Sequence, residues 1–460
     1  MWVVRLGNAD RDVGGRLLAL LWPLLVGNVL QQFYNIASTM IVGRFLGERA
    51  FAALGIAGAV MNLYIFVLGG VCIGVSILLA SLHGSGDGGT FRRGVFLAVS
   101  AGSALTLLLS ALSLLTLGPL LRLMGTPAEL EPLIVQYLRI VLCGLIVTFL
   151  YNLCAAVLRS VGDTRSALAF LVVAVFCSAG LTLGAVGLLG WGVAGAGWAM
   201  VASQFLSVLL CLGYIGRKKS FIVPRRGDLR YDGALLREMA RYGFVSALHQ
   251  SSLYIGRIFV QGAVNTLGTA GIAAYTAADR IEGIFNAVGS SGAEALSIYT
   301  AHRCGEGERD LARRGLVVAL RFFTAFGLLA AILLYALAKP GVSLFLGGAG
   351  SAQVVGEGVS YLGTLALFYA VSFAANAFVG YFRGSGRINV PFVGTTIQIT
   401  LRVVLSYLLI SRLGLRVVAV ATGTGWCAIL VFQVLVYRLT GSWRQVVGRC
   451  PTPRKGTPSP

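Results

Sequence analysis

The sequence predicts an all-α polytopic membrane protein with twelve transmembrane helices in two pseudo-symmetric six-helix lobes. Three observations carry that reading: apolar runs long enough to cross a bilayer, basic residues confined to alternate loops, and an internal repeat that spans most of the chain.

Of the 460 residues, 57% are hydrophobic and only 12% charged, and the mean hydropathy is +0.83. That balance excludes an ordinary soluble domain. Apolar runs fall at 15–42, 50–82, 92–117, 130–158, 164–190, 192–216, 235–264, 270–301, 311–338, 353–382, 388–411 and 415–438. Each is long enough, at about 20 residues, to cross about 30 Å of hydrocarbon as a helix. The first run is longer than a signal-peptide core and carries Asn28, Gln31 and Gln32 without a small-residue cleavage site, so it reads as a retained helix.

The net charge of +20 raises the possibility of nucleic-acid binding, but the positions of the basic residues argue for membrane topology instead. With the N-terminus inside, 26 Lys and Arg residues fall in segments on that side, including Arg92, Arg93, Arg159, Arg165, Arg313, Arg314, Arg383 and Arg387. Only six, Arg44, Arg49, Arg122, Lys339, Arg412 and Arg416, fall on the other. This imbalance places both termini in the cytoplasm and the chain as a multi-pass protein in the plasma (inner) membrane, with the lipid bilayer and not nucleic acid as its partner. Eight cysteines show no C-x-x-C spacing and three histidines, His83, His249 and His302, are scattered, so no metal site is expected. The tail "PTPRKGTPSP" is proline-rich and reads as disordered.

Displaced by 221 residues without a gap, the chain matches itself. "LGERAFAALGIA" at 46 meets "LGTAGIAAYTAA" at 267, and Gly84-x-Gly86-Asp87 meets Gly305-x-Gly307-Glu308, followed by Arg92-Arg93-Gly94 and Arg313-Arg314-Gly315. A shift of 224 sets Asn152 and "LRSVGD" at 158 beside Asn376 and "FRGSGR" at 382. Six spans per half give the halves one orientation, related by an axis along the membrane normal, with a site expected at their interface. The expected division is a cytoplasmic N-terminus at 1–14, an N-terminal lobe at 15–216, a basic cytoplasmic linker at 217–234, a C-terminal lobe at 235–440 and a cytoplasmic tail at 441–460.

The eighth span is the anomaly. It carries Asp279, Arg280, Glu282 and Glu294, and an ionised side chain at a helix centre costs about 2.5–3.5 kcal/mol on insertion scales unless it meets water or a partner. At about 100° per residue, Glu282 and Glu294 lie roughly 60° to either side of Asp279, and Tyr275, Asn286, Ser290 and Ser297 share the stripe. Asp279 lies nine residues into the span, about 13 Å at the helical rise, close to the midplane. The carboxyls are therefore candidates to line a wet path and bind cations, protons or Na⁺. Pairing with Arg280 and Arg257 to hold the bundle is the competing reading. Gln250, Tyr254, Arg257 and Gln261 share a face of the seventh span. Asn28, Gln31, Asn35 and Ser38, with Tyr34 beside them, do the same on the first. Such stripes line cavities or glue helices. Arg402 lies deep in the membrane and requires a carboxylate, carbonyl or bound anion.

The string "QQFYNIASTMIVGRFLG" at 31, followed by "AFAALGIAG" and "GSGD" at 84, with "LRSVGDTR" at 158, resembles the multidrug and toxin extrusion (MATE) transporters, within the MOP flippase superfamily. The similarity covers nearly the whole chain. It implies a MATE-like fold and an antiporter that expels cationic amphipathic compounds against inward H⁺ or Na⁺ by alternating access between two lobes. Two departures stand out. Many relatives carry an aspartate shortly after the Tyr-Asn of the first span, where this chain has Ser38. His302-Arg303-Cys304-Gly305 also replaces the family's usual Gln-Asn-x-Gly. Both move the expected coupling site to the C-terminal lobe.

The leading expectation is thus a cation-coupled exporter in which Asp279, Glu282 and Glu294 bind cation and substrate. Tyr275, Asn286, Ser290, Gln250, Tyr254, Arg257, Gln261, Asn28, Gln31, Tyr34, Asn35 and Ser38 are expected to line the cavity, with Arg280 and Arg402 as charge partners. The alternative is a flippase for a lipid-linked or anionic headgroup, carried by Arg257, Arg280 and Arg402. An enzyme would need a nucleophile with its base or a metal cluster, and the scattered histidines supply neither. No catalytic residue, metal or cofactor is expected, and the chain is expected to be a monomer.

Overall fold

The computed structural model describes residues 8–123, 126–127, 129–345 and 352–442, without the side chains of 8–11, 32–39, 48, 123, 345 and 440–442. The proline-rich tail and the first seven residues lie outside the described residues.

Among the described residues the chain is helical and has no strand. The helices are α1 (Asn8–Gly84), α2 (Gly88–Leu123), α3 (Glu131–Cys143), α4 (Leu145–Ser160), α5 (Thr164–Thr182), α6 (Gly192–Lys218), α7 (Gly233–Asn265), α8 (Gly268–Gly305), α9 (Arg309–Phe345), α10 (Ala352–Ala366), α11 (Tyr369–Gly384), α12 (Asn389–Leu413) and α13 (Arg416–Ser442). The first is two spans joined at Gly47, whose φ of 80° no helix accommodates. Conversely, α3 with α4 and α10 with α11 are single spans bent by 49° and 54°. Twelve membrane-crossing rods result.

Length and composition alone qualify eight helices as spans among the described residues, and up to ten with the two bent pairs. The rods that fail are α7 and α8. They fail because they carry Gln250 and Arg257, and Asp279, Arg280, Glu282 and Glu294. The helices least suited to lipid are therefore the ones bearing the polar stripes, as expected when such residues face protein or water.

Helix contacts divide the chain into two compact units, one of residues 26–247 and one of residues 1–25 with 248–460. The boundaries fall inside α1 and α7. In the first unit α6 packs on α3, α4 and α5, and α2 on α3 and α4. In the second, α8 packs against α9, α10 and α11, and α12 against α13. Its core is aromatic: Tyr369 meets Trp426 and Phe285 edge-on at 5.5 and 5.9 Å between ring centroids.

The backbone reproduces the repeat. Left-handed glycines occur at Gly47 and Gly268, Gly86 and Gly307, Gly162 and Gly386, and Gly190 and Gly414, pairs related by the displacements of 221 and 224. Bonds repeat too: Asn152 Nδ2 donates to Thr148 O at 2.8 Å, and Asn376 Nδ2 to Ser372 O at 3.0 Å. A shared sequence register has become a shared register of turns.

Candidate functional site

The carboxyl stripe of α8 resolves into two clusters, because 15 residues separate Asp279 from Glu294, about 22 Å along a helix. The first cluster sits between α8, α10 and α12. Glu282 is 4% exposed and both of its oxygens are served: the Tyr361 hydroxyl donates to Oε2 at 2.8 Å, and Asn286 Nδ2 donates to Oε1 at 3.0 Å. Tyr361 comes from α10 and is fully buried, its ring edge-on to that of Tyr275 at 5.7 Å. The apolar run of α10 brings this ring inward, and its hydroxyl then requires a buried acceptor.

Asp279, one turn before Glu282, is half-buried. Among the described residues it makes no hydrogen bond and no ion pair within 4.0 Å, and neither Arg280 nor Arg257 pairs with a carboxyl; both are exposed. The reading in which these arginines tie down the acids has no contact to support it. The partner of Arg402 is Tyr275, whose hydroxyl accepts from Nη2 at 3.5 Å, a long bond. The buried Nε of Arg402 has no hydrogen-bond partner among the described residues.

Glu294 belongs to the second cluster, on the stretch of α8 that Gly380 and Gly384 of α11 approach through Ala293 and Ser297. Arg383 was expected in a cytoplasmic loop; it lies instead in the last turn of α11 and is 8% exposed. Its Nη2 lies 2.7 Å from Nδ1 of the buried His249 and 3.5 Å from Gln250 Oε1. The other ring nitrogen of His249, Nε2, is 2.8 Å from Thr395 Oγ1 of α12.

The remaining expected residues divide by exposure. Ser290 is exposed, and its hydroxyl donates to Ala287 O of its own helix at 3.1 Å. Gln261 donates to Asn265 Oδ1 at 2.9 Å, one turn on. Tyr254 and Asn28 are half-buried and Gln31 is exposed. The side chains of Tyr34, Asn35 and Ser38 lie outside the described part. Asn28 and Gln31 belong to the unit of residues 26–247, and the Glu282 cluster to the other.

Sequence reasoning missed Tyr361, His249 and Arg383. A tyrosine in an apolar run carries no periodic signal. The histidine looked isolated because its partners come from helices more than 130 residues away. Among the described residues, no set of three or more His, Cys, Asp or Glu gathers into a metal-ligand group.

A family model described as MatE matches residues 23–183 and again 246–408. The chain belongs to the MatE family. It is a multi-pass membrane transporter, and the two matched segments coincide with the two copies of the repeat. The probable multidrug resistance protein YoeA of Bacillus subtilis is 28% identical over 331 residues, covering 70% of this chain and 72% of the relative. An FAD transporter of Shewanella oneidensis is 26% identical, covering 74% and 76%. A MATE family transporter of the MOP superfamily, solved in an outward-facing conformation, superposes with a TM-score of 0.86 at 23% identity, covering 95% and 96%. At that identity the likeness establishes the fold, twelve helices in two six-helix lobes.

Proposed function

We propose that this MatE-family chain is a cation-coupled antiporter that exports cationic amphipathic compounds against inward H⁺ or Na⁺ by alternating access, with Asp279 and Glu282 as its cation site. The carrying observation is the half-buried Asp279, which lies one turn from a buried carboxyl and has no ion pair among the described residues. Glu282 has both oxygens hydrogen-bonded and is held in place. Asp279 keeps its oxygens for a ligand.

Antiport follows from exclusive occupancy. A coupling ion and an organic cation compete for one carboxylate, so each leaves as the other arrives. The distribution of basic residues orients the chain with both termini in the cytoplasm of a plasma-membrane protein. The similarity to YoeA, a probable multidrug resistance protein, supports the export of drugs.

Reconstitution in proteoliposomes tests the reading. Efflux of a fluorescent lipophilic cation under separately imposed pH and Na⁺ gradients should be seen for the native chain and lost in Asp279→Asn, with folded protein recovered at normal yield. Unchanged efflux in that variant removes the assignment.

A second reading, transport of an anionic or lipid-linked headgroup, draws on the unpartnered Nε of Arg402 and on the similarity to an FAD transporter. Arg402→Gln separates the two. On the first reading it spares cation efflux; on the second it stops movement of the anionic substrate.

A further inference from the structure

We propose that His249 is a proton-binding coupling residue of the unit formed by residues 1–25 and 248–460, loaded by exchange of Arg383 for a proton at Nδ1. The inference rests on the antiport reading and names an ion site that the Asp279 cluster does not contain.

Donor chemistry fixes the state of the ring. A guanidinium has only N–H donors, so Nδ1 of His249, at 2.7 Å from Arg383 Nη2, must accept. The imidazole is then neutral with its proton on Nε2, which donates to Thr395 Oγ1 at 2.8 Å. In this arrangement one buried ring ties α7 to α11 and α12.

A proton added to the Nδ1 lone pair cannot coexist with that bond. It converts an acceptor into a donor and sets an imidazolium against a guanidinium, a like-charge contact in a medium where such pairs are costly. Two features supply the alternative arrangement. Gln250 Oε1 lies 3.3 Å from Nδ1, ready to accept the new N–H. Glu294, on the stretch of α8 that meets α11 at Gly380 and Gly384, offers the displaced guanidinium a carboxylate. No covalent bond other than the new N–H forms, and the proton leaves when Arg383 returns.

Arg383 is the charged group bonded to His249, and Gln250 and Thr395 are neutral; Glu294 lies on the stretch of α8 that meets α11 at Gly380 and Gly384. The repeat sharpens the assignment. Displaced by 221 and 224 residues, His249 and Arg383 correspond to Asn28 and Arg159. The arginine is kept in both halves, but at the other position one half has an imidazole and the other an amide.

His249→Gln is the decisive variant, because a glutamine carbonyl accepts from Arg383 and its amide donates to Thr395 while nothing titrates. Ethidium binding to the purified native chain should weaken about tenfold on acidification, a typical coupling. The glutamine variant should lose the His249 part of that shift and retain only what protonation of the Asp279 site contributes, and its affinity should equal the native chain's at high pH. By reciprocity, the His249 ring, one of three in the chain and recognised by NMR from its loss in the variant, should hold its proton about tenfold more weakly with ethidium bound. Gln250→Met, which removes the acceptor for the new N–H, should move the midpoint of the native shift to lower pH. A native-like pH shift in His249→Gln, or an imidazole signal blind to ethidium, overturns the proposal while leaving Asp279 in place. A native chain that neither binds nor exports the cation overturns the antiport reading itself.

Discussion

At the scale of single residues, partners determine what each polar group can do. Glu282 is buried yet satisfied, and its neighbour Tyr361 supplies one of two donors. Tyr361→Phe keeps the ring and its edge-on packing on Tyr275 but leaves Oε2 without a donor. An orphaned buried acceptor costs about 1–3 kcal/mol. The variant should therefore unfold at lower temperature in detergent, whereas Tyr275→Phe, which removes only a 3.5 Å bond, should change little. Asp163, in the loop before α5, shows the same logic outside the membrane. Burial tends to raise its carboxyl, but the Ser166 hydroxyl and backbone N–H, the Tyr214 hydroxyl and the Lys219 ammonium outweigh it and hold it below the ordinary carboxylate value. A depressed folded-state value contributes stability that is complete above the unfolded value, about 3.9, and is lost as pH falls through the folded one. Asp163→Asn retains the cap on Ser166 and removes the charge. Its thermal unfolding should lie below the native chain's at neutral pH and converge with it in acid.

At the scale of elements, close approach fixes where side chains stand. On α11, Gly380 and Gly384 flank Arg383; a methyl at Gly380 would overlap the carbonyl of Ala293, and one at Gly384 that of Ser297, both on α8. These two glycines let the helices meet backbone to backbone and so set the position of Arg383 relative to Glu294. Gly384→Ala must push α11 outward, and overpacking of this kind costs about 1–3 kcal/mol. Reduced thermal stability, together with a changed pH dependence of ethidium binding, is expected; a variant as stable as the native chain would show that α11 has room to move. The sequence made the α8 stripe legible, because 3.6-residue periodicity reports which positions share a face. It could not report how far apart along the rod those positions work. Asp279 and Glu294 share a face but lie about 22 Å apart along the helix, and only packing against α10 and α11 separates them.

At the scale of the whole molecule, the repeat was legible because duplicated turns keep their glycines. Gly86 and Gly307, like Gly162 and Gly386, had to remain glycine to hold a left-handed backbone. Where the halves diverge, the sequence was a poorer guide. The carboxyls Asp279 and Glu282 correspond to Gly58 and Met61 under the same displacement, so one half carries charged groups where the other has none. Their partners, Tyr361 and Arg402, lie 79 or more positions away in the chain. The basic connector between the repeats is a second case, since its composition suggested only a linker. It is a strap held on the unit of residues 26–247: Asp228 accepts from Arg92 Nε at 2.6 Å and from the backbone N–H of Arg225 at 3.0 Å, and Arg93 pairs with Asp232 at 3.5 Å. The Phe221 ring stacks on His83 at 5.9 Å. The Arg92 bond is the leading cause of the depressed Asp228 carboxyl, so protonation in acid loosens the strap. Although Arg225, Arg226 and Arg230 are exposed, a protease must open the local backbone to cut beside them, and the strap's bonds oppose that opening. Asp228→Ala should speed tryptic cleavage between 225 and 230 while leaving other sites cut at the native rate. Equal rates in the two proteins would mean that Asp232 and Phe221 hold the strap without Asp228, a result that Asp232→Asn in the same assay would then have to reproduce in reverse.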